Sequence, residues 1–470
     1  MNRFCIFCLL LLATPFLAST GAGAGEHPNI LFLLADDLRP DLIDTGAGAG
    51  LETPNLEELA RDGMTFTRAY CSYPICVVSR AEILTGQHGW ENGINGRRGA
   101  TLRGNPAFWP EAFREAGYET VHVGKWHVSG RPSTYGYTRV AGLFGSGGAK
   151  CWEPGQTDWK GFPITGYKGW IFQSEDGKTK YPELGTGVTP DISKTIADAA
   201  IQVLSEARAK PWMMHINFTA PHDPLMMPPG LEGKYDSSGI PLPHDYLPIH
   251  PFDHGNFDGR DEALLAWPRT QAAVRDLLRV YYSVVDDLDT QIGAILDTLE
   301  QTGQRENTII IFTSDHGMAC GSHGLRGKQN QYEHTARVPL IIAGPGIEPG
   351  HRTEAMVYLR ELFPTTCALA GIEIPDSVTA QSFVPVLRME KDAHHDAIFG
   401  YFTNTQRMIR TDDDWKLIVY PEIRKTQLFD LTNDPIELDD LSESGDKDVQ
   451  VKRRELEERL KEWRMQHGDV

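Results

Sequence analysis

Positive charge is scarce in this chain. Its 470 residues carry 45 Lys and Arg against 64 Asp and Glu, a formal net charge of -19 at pH 7. Such a field repels polyanions, which argues against nucleic acid or an anionic membrane surface as a partner. An anionic substrate stays open, because a local cluster of Lys, Arg and His can reverse the field inside one cleft. Long apolar runs are missing as well: past the N-terminus no stretch is long enough to span a bilayer. Internal repeats are absent, and at 40% hydrophobic the composition is neither disordered nor collagenous. Cysteine is rare, with seven in the chain. Cys71, Cys151, Cys320 and Cys367 leave room for one or two disulfides, whose pairing spacing does not fix.

The N-terminus has one basic residue, Arg3, then an apolar run over residues 4–13, then small residues through Ala24. That order reads as a secretory signal peptide over residues 1–24, which removes Cys5 and Cys8. The expected mature protein is secreted or periplasmic, with no stable membrane anchor and no cysteine placed for lipid attachment.

Residues 29–35 form a nearly unbroken apolar run, as expected for a strand buried on both faces of a parallel sheet. Further strands are predicted over 118–123, 212–219, 308–314 and 338–343. Helices are predicted over 54–62, 110–116, 191–209, 271–301 and 361–370. Between residues 129 and 188 the pattern dissolves into a Gly- and aromatic-rich stretch. Past Gly371 the alternation weakens to short strands over 397–403 and 415–420 and a charged helix over 449–466. The expected fold is α/β: a large mixed, mainly parallel sheet flanked by helices over residues 25–371, with a smaller α+β domain over 372–470.

Four of these strands deliver reactive side chains just past their last apolar position: Asp36-Asp37, Lys125 with His127, His222, and Asp315-His316. Ligands of doubly wound sheets bind outside the carboxyl ends of the strands, so these loops can converge on one site. Three carboxylates and an imidazole suit a hard cation such as Ca or Mg. A lone Asp pair reads as a solvated turn, but two such pairs after two buried strands carry more weight; Lys328, by itself, reads as an exposed lysine.

Residues 75–86 place Cys76 at the mouth of a short amphipathic helix, with Arg80 one turn on and Gly86 to close it. A helix N-terminus and a guanidinium both favour negative charge at that sulfur. Alone, such a cysteine reads as a buried structural residue.

The stretch resembles the signature of the formylglycine-dependent sulfatases of the alkaline phosphatase-like superfamily, C-x-P-x-R followed by A-x-x-L-T-G. Cys76, Ser79, Arg80, Ala81, Leu84, Thr85 and Gly86 match, and Val78 stands where the family usually has proline. Gly124-Lys125-Trp126-His127 resembles the family's G-K-W-H, Pro221-His222 its P-H-x-P, and Lys328 with Tyr332-Glu333 and Arg337-Val338-Pro339-Leu340 its K-x-x-x-Y-E and R-V-P-L.

The resemblance implies a calcium ion held by Asp36, Asp37, Asp315, His316 and the modified Cys76. It also implies oxidation of Cys76 to formylglycine by a formylglycine-generating maturation enzyme. The aldehyde hydrate would attack sulfur, with Arg80 and Lys125 holding it and His222 and Lys328 protonating the leaving group and binding sulfate. His127 would then take the proton of the second hydroxyl as sulfate is expelled. The expected activity is hydrolysis of sulfate esters, with a sulfated carbohydrate as substrate. Two alternatives remain: a phosphate or phosphonate monoester hydrolase using the same nucleophile, and an unmatured sulfated-glycan-binding protein, for which Val78 is the relevant feature.

Overall fold

The computed structural model describes residues 27–44, 50–96 and 101–469. The segment 1–24, with Cys5 and Cys8, lies outside the described residues. The larger sheet contains, in chain order, β1 (Asn29–Ala35), β2 (Gly63–Tyr70), β3 (Glu119–Lys125), β4 (Arg139–Ser146), β5 (Trp170–Phe172), β6 (Trp212–Asn217), β7 (Thr308–Ser314), β8 (Arg337–Ala343), β9 (His351–Thr353) and β10 (Val357–Tyr358). Their spatial order is β10-β2-β8-β7-β1-β6-β3-β4-β5, with β9 on β2. The central four, β7, β1, β6 and β3, are mutually parallel. β8 runs antiparallel to both β7 and β2, and β5 to β4, so the sheet is mixed with a parallel centre.

The apolar run of β1 follows from this position. Leu31, Leu33 and Ala35 face one core cluster and Ile30, Phe32 and Leu34 the opposite one. Helices Ile192–Leu204 and Gln271–Gln301 cover the first face; Trp109–Glu115 and Leu362–Leu369 cover the second. The 31-residue helix is capped by Thr270, whose side chain accepts from the Ala273 amide. It buries Leu277, Tyr281, Leu288, Ile292, Ile295 and Leu299 at helical spacing, each worth about 1.5–3 kcal/mol of transfer free energy for an aliphatic side chain.

A second, antiparallel sheet contains β11 (Ala397–Phe402), β12 (Gln406–Thr411), β13 (Trp415–Tyr420) and β14 (Lys425–Asp430). The helix Lys447–Gln466 lays Leu456, Leu460 and Trp463 against it.

Gly63 closes the helix Pro54–Asp62 and at once begins β2, where a Cβ would strike Ala343 across the sheet. The structure departs from the sequence reading in three places. The stretch 129–188 contains β4 and β5, whose glycines and aromatics hide a period of two. The helix predicted over 191–209 stops at Leu204. All five described cysteines, Cys71, Cys76, Cys151, Cys320 and Cys367, are free thiols, so none of the expected disulfides forms among them.

Candidate active site

Because β7, β1, β6 and β3 are adjacent and parallel, their carboxyl ends bring Asp315-His316, Asp36-Asp37, His222 and Lys125-His127 to one edge of the sheet. The Cys76–Thr85 helix enters above them. The sequence reading of this helix as amphipathic needs correction: nine of its ten residues are buried. Val78 and Ala81 pack toward the smaller sheet, Ile83 toward the larger sheet's second face, and Leu84 against Trp126 and Leu143. Ser79 Oγ donates to the Asp315 carbonyl at 2.7 Å, fixing the helix to the end of β7. Gly86 ends it in the left-handed region at φ 63°, its N–H on the Glu82 carbonyl. Val78 N–H donates to the Ile75 carbonyl at 3.0 Å, a bond that proline at this position lacks.

Asp37 has a positive φ of 70°, which for a non-glycine residue is held only by its surroundings. Its amide donates to Asp315 Oδ1 at 3.3 Å and its carbonyl accepts from Tyr281 at 2.6 Å. Asp36, Asp37, Cys76, Asp315 and His316 are all buried, with ligand atoms within 4.8 Å of one another.

Cations interleave with these acids. Lys125 and Tyr167 both donate to Asp36 Oδ2, Tyr167 at 2.5 Å. Arg80 Nε donates to Asp315 Oδ2 at 2.9 Å. Lys328 Nζ stands 2.8 Å from Asp37 Oδ1 and 3.5 Å from Cys76 Sγ. His222 Nε2 stands 3.8 Å from Asp37 Oδ2, and its Nδ1 faces the Asp223 carbonyl at 2.5 Å.

These charges set the protonation states. Burial would raise the Cys76 thiol, but Lys125, Lys328 and His316 outweigh it and hold its pKa well below the ordinary value. Burial and Lys125 push His127 down to about 4, leaving it neutral at pH 7. His222 moves the other way: burial lowers it, but the Asp37 carboxylate wins and raises it. Burial and Asp36 lift Asp315 to about 7, while Asp315 and Cys76 hold His316 up at about 9 against burial.

The residues fit a bound cation. Asp36 Oδ1 is buried and accepts no hydrogen bond from the protein. His316 Nδ1 faces the Gly317 carbonyl at 3.0 Å and Nε2 faces Cys76 at 3.4 Å, so Nε2 is the nitrogen that would ligate an ion once the ion displaces its proton. Carboxylate oxygens with one imidazole are the donor set of a hard divalent ion. They fit an oxyanion too, since Nη1 and Nη2 of Arg80 are buried without hydrogen-bond partners.

The comparisons with known proteins agree with this geometry. A family described as Sulfatase matches residues 28–372. The chain belongs to the sulfatase family. It is a sulfuric ester hydrolase of the alkaline phosphatase-like superfamily. In this sulfatase, residues 321–466 also match a domain described as N-sulphoglucosamine sulphohydrolase, C-terminal. The sulfatase is 28% identical to an arylsulfatase of Clostridium perfringens, over 89% of this chain and 90% of the other. It is 27% identical to an N-acetylglucosamine-6-O-sulfatase of Bacteroides thetaiotaomicron, over 98% of this chain and 91% of that one. A solved structure of a protein with its substrate D-glucosamine-2-N,6-O-disulfate superposes with a TM-score of 0.76 at 25% identity, covering 94% of this chain and 98% of the other. A phosphonate monoester hydrolase of Agrobacterium radiobacter shares the fold, with a TM-score of 0.74 at 24% identity.

Every site residue expected from the sequence lies in this one cluster of the sulfatase: Cys76, Arg80, Lys125, His127, His222 and Lys328 together with the three acids and one imidazole at the β1 and β7 ends. Sequence reasoning missed Tyr167 and Asp223. Tyr167 lies in the aromatic stretch with no motif to mark it. Asp223 directly follows His222, and its ion pair with Arg260 at 2.7 Å was invisible 37 residues away. Two aromatics of that stretch meet site residues edge to face, Trp170 on His127 at 5.1 Å and Tyr167 on His222 at 4.9 Å. A cavity of about 410 Å³ opens beside His127, lined by Trp170, Arg131 and Gln173.

Proposed function

We propose that this protein is exported and hydrolyses sulfate monoesters of a sulfated carbohydrate, using formylglycine made from Cys76 and a calcium ion held by Asp36, Asp37, Asp315 and His316. The observation that carries the reading is the setting of Cys76. Its sulfur is buried at a helix N-terminus, 3.5 Å from Lys328 Nζ and 3.4 Å from His316 Nε2, and Arg80, one helical turn on, keeps Nη1 and Nη2 buried without hydrogen-bond partners, Nη2 lying 3.6 Å from Asp36 Oδ1.

The aldehyde hydrate at position 76 supplies the attacking oxygen and, on the same carbon, the hydroxyl that later expels sulfate. A calcium ion held by Asp36, Asp37, Asp315 and His316 would supply positive charge to the anionic groups of the site. The remaining work belongs to the side chains. Arg80 offers two free guanidinium donors to the sulfate oxygens, and Lys125 adds a third positive group from the end of β3. Lys328 and His222 lie on the Asp37 side, where either can deliver a proton to the departing sugar oxygen. His127, its ring against Trp170, would take the proton of the remaining hydroxyl as sulfate leaves and the aldehyde is restored. The cavity lined by Trp170, Arg131 and Gln173 offers an aromatic face and polar groups to a sugar ring.

Support for a carbohydrate comes from the glucosamine sulfate in the similar complex and the N-acetylglucosamine-6-O-sulfatase relative. Support for export comes from residues 1–24. No helix among the described residues is long and apolar enough to cross a membrane.

The decisive experiment is the mass of the tryptic peptide 69–80 from protein matured with a formylglycine-generating enzyme, followed by rates on sulfated glucosamine and on aryl sulfate and aryl phosphate. The expected result is an aldehyde mass at Cys76 and faster turnover of sulfate than of phosphate. An intact thiol would leave a binding protein, and a preference for phosphate would move the activity to the phosphomonoester class.

A further inference from the structure

A second group of metal-ligating side chains lies outside the catalytic cluster. Asp245, in the long loop before the Gln271–Gln301 helix, meets His323 from the loop after β7 and His334 from the turn before β8. All three are buried, at 7%, 4% and 7% exposure, and their ligand atoms lie within 4.8 Å of one another.

The distances distinguish ligation from hydrogen bonding. His323 Nε2 stands 3.4 Å and His334 Nδ1 3.6 Å from the same oxygen of Asp245, Oδ2. Neither makes a good hydrogen bond. Two ligands about 2.0–2.1 Å from a zinc ion at a tetrahedral angle stand about 3.3–3.4 Å apart, close to both values. His323 Nε2 and both ring nitrogens of His334 are buried with no hydrogen-bond partner. A third group, Glu361 with His394 and His395, is closed by one ordinary hydrogen bond: His395 Nε2 approaches Glu361 Oε1 to 2.6 Å, while His394 Nε2 stands 3.3 Å from Oε2.

The three ligands are held before any ion binds. His323 N–H donates to the Asp245 carbonyl at 2.7 Å, and Tyr246 bridges to Ser322 beside it. The His323 ring stacks on Tyr332 at 3.9 Å and 8°, and its other edge is held by the Ile436 backbone, the kind of outer partner that fixes a ligating imidazole. Asp245 and His334 line a cavity of about 370 Å³, which gives access to a fourth position. Arg39 also faces Asp245, its charge paired with Asp41 at 2.9 Å.

We propose that Asp245, His323 and His334 form a second metal site that takes a divalent ion of the zinc class, with an open position toward this cavity. Two imidazoles and one carboxylate favour such an ion over calcium, which prefers oxygen ligands. Lys328 lies in the chain between His323 and His334, so the ion would clip the loop carrying it to the 224–268 loop. That consequence for turnover rests on the reading above; the metal site does not.

The test counts metal in full-length Cys76→Ala protein saturated with calcium, which removes the thiol and fills the catalytic oxygens. One equivalent of zinc is expected, weakened more than about tenfold in His334→Gln and in Asp245→Asn. Absence of bound zinc, or undiminished zinc in folded His334→Gln and Asp245→Asn, overturns the proposal. Should those variants not fold, cobalt(II) added to the Cys76→Ala protein decides: intense visible bands of a four- or five-coordinate ion are expected, and the weak spectrum of the hexaaquo ion overturns it. An unoxidised Cys76 would sink the hydrolase reading and leave this metal count unchanged.

Discussion

The ammonium of Lys328 stands 2.8 and 2.9 Å from the two oxygens of Asp37 and 3.5 Å from the sulfur of Cys76. One cation thus joins the end of β1 to the position of the nucleophile, with both partners buried. Lys328→Met is expected to lower kcat by about 10²–10⁴ for sugar sulfates, whose alkoxide leaving groups need a proton. Nitrophenyl sulfate should lose far less. The measurement is kcat against leaving-group pKa; an equal loss across the series would place the proton on His222 instead.

Gly124 sits at φ 88°, and a Cβ there would collide with the Asn217 carbonyl and meet Ile196 at 3.0 Å. Gly124→Ala is expected to cost about 2–4 kcal/mol through left-handed strain and overpacking between β3 and β6. It would also shift Lys125, the next residue, away from Asp36. Denaturant unfolding and kcat should fall together, and an unchanged midpoint would refute the packing argument.

Glu361 is fully buried; burial alone would raise its carboxyl, but His395, 2.6 Å from Oε1, and His394, 3.3 Å from Oε2, hold it down at about 2. Its folded pKa therefore lies below the unfolded value of 4.5. The stabilisation is present above pH 4.5 and is lost as pH falls toward 2, amounting to about 3 kcal/mol at most. Glu361→Gln should melt lower than the parent at pH 6, with the gap closing below pH 4. A gap that stays constant with pH would mean that the shift is absent.

The smaller sheet buries the outer side of the Cys76–Thr85 helix: Tyr401 N–H donates to the Ser72 carbonyl at 2.9 Å, and Tyr401 OH to Glu82 Oε1 at 3.1 Å. Gln406 Nε2 donates to the Gln329 carbonyl at 3.0 Å, beside Lys328. Truncation after residue 371 is therefore expected to uncover Val78 and Ala81 and to give a chain that binds hydrophobic dye and melts without cooperativity. A soluble truncated chain with a sharp melt would show that residues 25–371 fold alone.

The sequence by itself determined the parallel centre of the fold and the membership of the site. An apolar run buried on both faces needs helices on both sides, and a strand that ends in acids, Lys or His must place them at the sheet's carboxyl edge. These are local rules, so β1, β3, β6 and β7 and their terminal residues could be read off one strand at a time. What only tertiary structure decided were the relations between distant segments. β4 was hidden because glycines replace the usual alternation, and β2 because it follows the Pro54–Asp62 helix with no loop between; the strand character of β2 comes from hydrogen bonds to β8 far along the chain. Tyr167 on Asp36, Asp223 with Arg260, the free state of the cysteines and the meeting of Asp245 with His323 and His334 depend on how long loops fold over the sheet. No local propensity encodes such contacts, because their energies arise only when burial brings the partners together.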